Sequence, residues 1–261
     1  MANLNSTEQI KRLFAAGLHF GHQKAKWNPK VKPYLYGVRN GIHLFDLTQT
    51  AKLLQAALAF LEQATKEQKV ILLVSTKQQT QDNLPNLATS LGLPFVTEKW
   101  FGGLLTNWQT TKERLKQLKE LRAEKEKTDF ARYVKKERNK KIKQIKKLAA
   151  WLGGIETLTK RPDILFVLDT VRDRLAVLEA RKFKIPVVGI IDSNADPDLV
   201  DYPIPANDDS PTAIQFILNE LQEAIMRGRK AATVDTETKT EEKPSEKAKA
   251  TEDLEAEKVF G

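Results

Sequence analysis

Asp192-Ser-Asn194-Ala-Asp196-Pro197 sets three side-chain oxygens at alternate positions, the opening of a calcium loop. Such a loop needs glycine at its sixth place for the sharp turn and a bidentate glutamate at its twelfth. Those places hold Pro197 and Pro203, so the calcium reading fails twice. Another divalent site stays open. Asp192 closes an apolar run, and Asp208-Asp209 lies in the next loop. Ligand sites of open α/β sheets gather at the C-terminal strand ends. If the N-terminal segment folds over that edge, His22 joins Asp192 and Asp209 in a His/Asp/Asp set of the kind zinc accepts. No pair among them has diagnostic ligand spacing, and the same aspartates would serve as loop and helix caps. Nothing else in the sequence calls for a cofactor.

Other chemistry is tested in the same way. No G-x-G-x-x-G follows an apolar run and no G-x-x-x-x-G-K-[ST] occurs, so the usual phosphate cradles are missing. Val70-Ile-Leu-Leu-Val-Ser ends in Ser75-Thr-Lys77 rather than glycines. Leu168-Asp169-Thr-Val171 has valine where a phosphotransferase pair would carry its second aspartate. There is no G-x-S-x-G elbow, and with no cysteine in the chain, thiol nucleophiles, disulfides and thiolate metal sites are excluded. A nucleotide-dependent enzyme working at Ser75-Thr-Lys77 or Asp169 is kept as the alternative reading.

Charge points elsewhere. The chain of 261 residues carries a formal +9. Residues 112–147 hold 16 Lys+Arg against 6 Asp+Glu, so this one segment contains the whole excess. Such a block suits a polyanion, nucleic acid or an acidic membrane surface. A second cationic stretch runs from His19 to His43: it holds all three histidines, four lysines and an arginine, with a tryptophan, two tyrosines and no acid. The first residues have neither a basic n-region nor an apolar h-region, so no secretory leader is expected. Leu53–Leu61 is too short to cross a bilayer.

The elements that must position these residues follow from periodicity. Val70–Ser75, Asp163–Asp169 and Ile185–Asp192 read as strands buried on both faces, and Pro94–Thr97 as a further strand. Asp201–Ile204 contains Pro203 and belongs at a sheet edge. Helices are expected over 50–66, 77–90 with a break at Pro85, 172–182 with Leu175, Leu178 and Val177 facing inward, and from Pro211 on, with Ile214, Ile217, Leu218, Leu221 and Ile225 buried. Alternation of strand and helix predicts a five-stranded parallel sheet in an α/β fold with helices on both faces. Pro33–Tyr36 and Ile42–Leu47 flank Gly37–Gly41 as a small antiparallel hairpin.

Residues 105–152 break the alternation. Trp108, Thr111, Leu115 and Leu118, then Ile142, Ile145, Ala149 and Leu152, form narrow apolar seams among charges. This predicts an antiparallel coiled-coil hairpin turning near Thr128-Asp129, with Gly102-Gly103 and Gly153-Gly154 as its joints. The expected organisation is a body of residues 1–104 and 153–228, an inserted hairpin of 105–152, and a disordered tail of 229–261 rich in Thr, Glu, Lys and Ala.

Three longer motifs carry a resemblance. Gly17-Leu-His-Phe-Gly-His-Gln with Trp27-Asn-Pro-Lys and Tyr36-Gly-Val-Arg-Asn-Gly-Ile-His, then Trp100-Phe-Gly-Gly-Leu-Leu-Thr-Asn-Trp108, then Asp192-Ser-Asn-Ala-Asp-Pro with Ile204-Pro-Ala-Asn-Asp-Asp209, resemble the signatures of the bacterial-type uS2 family of small-subunit ribosomal proteins over about residues 6–227. Phe101 stands where that family usually has leucine, and Ser210-Pro211 where it has alanine-isoleucine. The resemblance implies a flavodoxin-like three-layer fold with a protruding coiled coil. It implies a non-enzymatic structural role: binding small-subunit ribosomal RNA beside neighbouring ribosomal proteins, and supporting the docking of the large protein that captures messenger RNA. Neither a membrane nor a second copy of the chain is expected as partner. The expected place is a ribosome of the cytoplasm, and an organellar ribosome stays open.

On that reading Lys24, Lys26, Lys30, Lys32 and Arg39 each neutralise a phosphate. Trp27, Tyr34 and Tyr36 offer faces for unpaired bases, and Asn40 offers hydrogen bonds. Trp27 is equally suited to packing on the sheet. Asn107 either caps the hairpin root or faces RNA, Trp100 and Trp108 pack at that root, and His19 and His43 are structural.

Overall fold

The structure is a computed structural model that describes residues 6–241. Its centre is a five-stranded parallel sheet of β4 (Ile71–Val74), β5 (Phe95–Val96), β6 (Ile164–Val167), β7 (Val187–Ile191) and β8 (Tyr202–Pro205), in the order β5-β4-β6-β7-β8. That is the flavodoxin-like order, in which the sequence of strands reverses beside the first one. Successive side chains of a strand point to opposite faces, and both faces here are covered. Ile71 and Leu73, Phe166, and Val188 and Ile190 face one layer, with α1 (Ser6–Ala15), α2 (Leu47–Lys66), α3 (Asn83–Ser90) and α7 (Pro211–Glu241). Leu72 and Val74, Leu165 and Val167, and Val187 and Ile191 face the other, with α6 (Arg174–Lys182) and the roots of α4 (Trp108–Thr128) and α5 (Lys135–Leu152). The apolar runs have no polar alternation because neither face meets water.

Several expectations are corrected. The helix expected from Arg172 begins at Arg174 and buries Ala176, Val177, Glu179 and Ala180, whereas Leu175 and Leu178 are exposed. Small residues let α6 approach the sheet closely, and the two leucines fall outside that stripe. The Gly37–Gly41 turn contracts to Asn40-Gly41, both at positive φ, so Gly37–Arg39 belong to a strand. Such an Asn-Gly pair suits the left-handed turn of a tight hairpin. The 77–90 helix divides into a short turn at Gln78–Thr80 and α3, with Pro85 tolerated inside the first turn of α3. α7 runs on to Glu241, so residues 229–241 of the expected disordered tail are helical; Arg229, Lys230, Ala231 and Ala232 carry the helix past Gly228 with high propensity. The remainder of that tail lies outside the described residues.

The hairpin forms on the predicted seam of α4, while α5 buries Leu148, which was not expected, and leaves the expected Ile142 outside the core. Leu115, Leu118, Leu148 and Leu152 are buried at its root, and Leu121, Ile145 and Ala149 pack beside them. Its tip is closed by Phe130, which is fully buried and follows Asp129 in left-handed backbone. Lys141 and Tyr133 lie against this plug, and Glu124 accepts from Lys141 at 2.8 Å and from the Tyr133 hydroxyl at 2.9 Å. At the other joint, a Cβ on Gly154 would lie 2.2 Å from the Phe95 carbonyl oxygen, so only glycine fits.

Candidate nucleic-acid interface

The cationic stretch near the N-terminus becomes a small antiparallel sheet of β1 (Phe20–Gln23), β2 (Leu35–Arg39) and β3 (Ile42–Phe45), ordered β1-β3-β2, with its four lysines on two short 3-10 turns, Lys24–Lys26 and Pro29–Tyr34, that join β1 to β2. It lies over the C-terminal edge of the parallel sheet. The His22 N–H donates to Ser193 Oγ at 2.8 Å, the Asn28 N–H to the Ser193 carbonyl at 2.7 Å, and the Asn207 N–H to the Leu18 carbonyl at 3.1 Å. A Cβ on Gly21 would sit 3.0 Å from Ser193 Oγ, which shows how closely β1 approaches the 192–193 loop. Val31, His43 and Phe45 are buried and fix the small sheet from beneath. Trp27 stacks on His43 with ring centroids 5.0 Å apart and is half-buried, so its body is packing and its rim is surface. Burial, with Lys24 adding, holds the pKa of His43 below its ordinary value and keeps the ring neutral. His19 stacks on Phe14 and meets Phe20 at a tilt, with ring centroids 4.3 and 4.0 Å apart.

The sequence-predicted residues divide by surroundings. Lys24, Lys26, Lys32, Arg39 and Asn40 are exposed, and among the described residues none of the four cations has a carboxylate within ion-pair distance. Lys30 differs: its ammonium lies 3.0 Å from Asp196 and 2.7 Å from Asp198. Tyr34 is half-buried against the second core layer, whereas Tyr36 is 82% exposed. Asn107 lies at the start of α4, well away from the small sheet in sequence; its Oδ1 accepts from the Thr110 hydroxyl at 3.0 Å, and its side chain is exposed.

Beneath the small sheet, one donor atom each from His22, Asp192, Asp208 and Asp209 lie within 4.8 Å of one another. His22 Nδ1 is 3.0 Å from Asp192 Oδ1 and Nε2 is 3.4 Å from Asp209 Oδ2. Asp192, ahead of the other carboxylates, raises the His22 pKa. Lys77, which the sequence did not mark for this cluster, is buried among the acids: 2.6 Å from Asp208, 2.8 Å from Asp209 and 3.1 Å from Asp169. Burial opposes its charge, but those carboxylates outweigh burial and raise its pKa. Burial, with the charges of Asp192 and Asp169, pushes the Asp208 carboxyl up to about 7. Four carboxylates thus crowd one ammonium and one imidazole. An imidazole nitrogen with two or three carboxylate oxygens at this spacing fits a divalent ion such as zinc. Lys77 and Asp169, the polar groups of the enzyme alternative, are paired inside the chain, and Asp169 Oδ1 also accepts from the Val171 and Arg172 N–H groups.

One organising residue escaped the sequence reading. Glu179 accepts from Trp100 Nε1 at 3.2 Å, from the N–H groups of Gly103, Leu105 and Thr106 at 2.7, 2.9 and 3.0 Å, and from the Thr106 hydroxyl at 3.1 Å. It ties the Trp100–Trp108 motif to α6 and so sets the hairpin root. Burial pushes its carboxyl up, but these donors outweigh burial and hold its pKa below the ordinary value. The signal was an acid inside the Val177–Ala180 inward stripe.

A family profile described as Ribosomal protein S2 matches residues 13–228. Proteins named small ribosomal subunit protein uS2 are similar over most of their length. That of Coprothermobacter proteolyticus is 46% identical over 84% of this chain and 82% of its own, and that of Picosynechococcus sp. is 42% identical over 87% and 88%. That of Geotalea uraniireducens is 42% identical over 89% of this chain and 91% of its own.

Proposed function

Because the chain belongs to the ribosomal protein S2 family, we propose that it is a structural, non-enzymatic constituent of the small ribosomal subunit that docks on ribosomal RNA through its N-terminal sheet. One observation carries this reading. Lys24, Lys26 and Lys32 on the two turns between β1 and β2, and Arg39 at the end of β2, stand exposed and, among the described residues, without an ion pair on a unit stapled to the body, while Asp192 and Asp208 of the same edge are buried against His22 and Lys77 and Asp196 and Asp198 are taken by Lys30. A pre-ordered cationic surface loses little entropy on docking, and each phosphate it neutralises releases counterions. Tyr36 and the rim of Trp27 are the faces left for unpaired bases, and Asn40 at the β2–β3 turn is placed for hydrogen bonds. Asn107 belongs to the hairpin root and contributes there. The protein acts as a single copy on the ribosome. No helix among the described residues is long and apolar enough to cross a membrane.

The test is binding of the full chain to a small-subunit ribosomal RNA transcript over a salt series. Replacing Lys24, Lys26 and Lys32 with glutamine lowers the slope of log affinity against log salt by about 2, at ~0.7 per single-stranded phosphate contact. A wild-type chain that ignores the transcript even in dilute buffer overturns the reading. Lys30→Gln changes the slope less than any of the other three, because Asp196 and Asp198 already hold that charge.

Two finer parts belong to the same reading. Phe14 and Phe20, 60% and 47% exposed and in ring contact with His19, form the apolar surface on which the large messenger-capturing ribosomal protein docks. Phe14→Ser reduces that capture in a pull-down with purified partner, and an unchanged yield removes the assignment. The His22, Asp192, Asp208 and Asp209 set holds a divalent ion, zinc by its donor types, which would pin the small sheet to the edge beneath it. Elemental analysis of dialysed protein should find about one zinc per chain, lost in His22→Ala; equal metal content in both proteins would refute it.

A further inference from the structure

A pocket of about 490 Å³ opens at the opposite end of the parallel sheet, where β6 and β7 begin. The hairpin root supplies Trp108 and Lys112, the segment before β6 supplies Lys160, Arg161 and Asp163, and the turn after α6 supplies Phe183. A five-residue strand spans about 17 Å, so the pocket and the N-terminal sheet cannot share one nucleotide.

Its chemistry is cationic and aromatic. Trp108 is a buried wall, but Phe183 is 41% exposed. The Arg161 guanidinium lies 4.1 Å from the Phe183 centroid, and its Nε donates to the Leu105 carbonyl at 2.8 Å, which holds the pair in register. Lys112 is exposed and, among the described residues, has no carboxylate within ion-pair distance. Asp163 is the one acid of the lining, and it is already engaged: Lys160 lies 3.0 Å away and the Val70 N–H donates to it at 2.8 Å. Lys182 and Lys184 flank Phe183 in the chain and are exposed. The site is therefore positive around an open ring, with its negative charge covered.

We propose that this pocket is a second RNA-contact site that seats one unpaired nucleotide, its phosphate on Lys112 and its base on the Phe183–Arg161 platform. An acidic peptide would satisfy the lysines but leave the flat aromatic and guanidinium surface unused, whereas an unpaired base stacks on the face that the Arg161–Phe183 pair leaves open. The inference rests on the RNA-binding reading above and adds a contact to it.

The experiment uses the full chain and the same small-subunit RNA transcript over a salt series. Lys112→Gln should lower the slope by about 0.7, one single-strand phosphate contact. Phe183→Leu, with its fold checked by thermal melting, should weaken binding about 5- to 150-fold at unchanged slope, the range for loss of one stacked base. If both variants bind as wild type does while the Lys24/Lys26/Lys32 variant loses its slope, the pocket inference is wrong and the RNA-binding reading stands. If wild type does not bind, both fall. A change with Lys112→Gln but none with Phe183→Leu overturns the nucleotide seat. So does a glutamate decapeptide that binds wild type but not Lys112→Gln, since it would mark a protein-docking surface.

Discussion

Glu179 shows how much one side chain can organise. Two oxygens satisfy five donors from a single loop, three of them backbone N–H groups that would otherwise be buried without partners. Glu179→Gln keeps the volume but turns an amide NH2 toward those donors. It should lower the urea unfolding free energy by about 2–4 kcal/mol, on the scale of a lost charged acceptor with stranded donors. The sign with pH follows from the direction of the shift. A carboxylate whose folded pKa is depressed contributes stability that is present above its unfolded value, near 4.5, and lost as pH falls through the folded one. Wild type should therefore lose this share of stability in the acid range below about 4.5, and Glu179→Gln should show a flatter acid limb. Neighbouring glycines differ as sharply. Gly154→Ala drives a Cβ into the Phe95 carbonyl and should lower stability by about 1–3 kcal/mol. Gly153→Ala meets only the end of Glu156 at 3.9 Å and should leave the melting temperature nearly unchanged.

Elements differ in how plainly the chain announces them. The buried strands were legible as unbroken apolar runs, and the hairpin seams as apolar residues three and four apart among charges. β1 was not: Phe20-Gly-His-Gln has no alternating pattern, and its place comes from tertiary bonds to Ser193 and backbone pairing with β3. The inward face of α6 was misread because small residues and one acid, not leucines, form it. At the candidate interface the lysines were visible as types, but which of them is already paired was not, since Lys30 meets its carboxylates 166 residues away. Phe130 was equally hidden, a single aromatic among charges that closes the hairpin tip. Phe130→Ala should open that tip alone. Amide exchange over residues 124–141 should quicken at least tenfold while α2 and α7 stay protected, and a uniform loss of protection would show the hairpin and body to be one cooperative unit.

For the whole molecule, the body and the hairpin divide charge and core between them. The first core layer draws nothing from α4 or α5. Replacing residues 119–147 with a short glycine linker removes thirteen bases and five acids, taking the net charge from +9 to +1. The shortened chain should still unfold in one transition, because Leu115, Leu118, Leu148 and Leu152 remain at the root. Its low-salt affinity for RNA of unrelated sequence should fall steeply in a filter-binding assay; an undiminished affinity would place the non-specific attraction on the body. The two borders of the parallel sheet matter in another way. β5 has two residues, and β8 carries Pro203 and Pro205, the latter with its carbonyl taken by the Thr50 hydroxyl. Short or proline-bearing borders give a neighbouring polypeptide almost nothing to zip onto. A copy outside any assembly therefore offers little free strand edge on which a second copy could template itself.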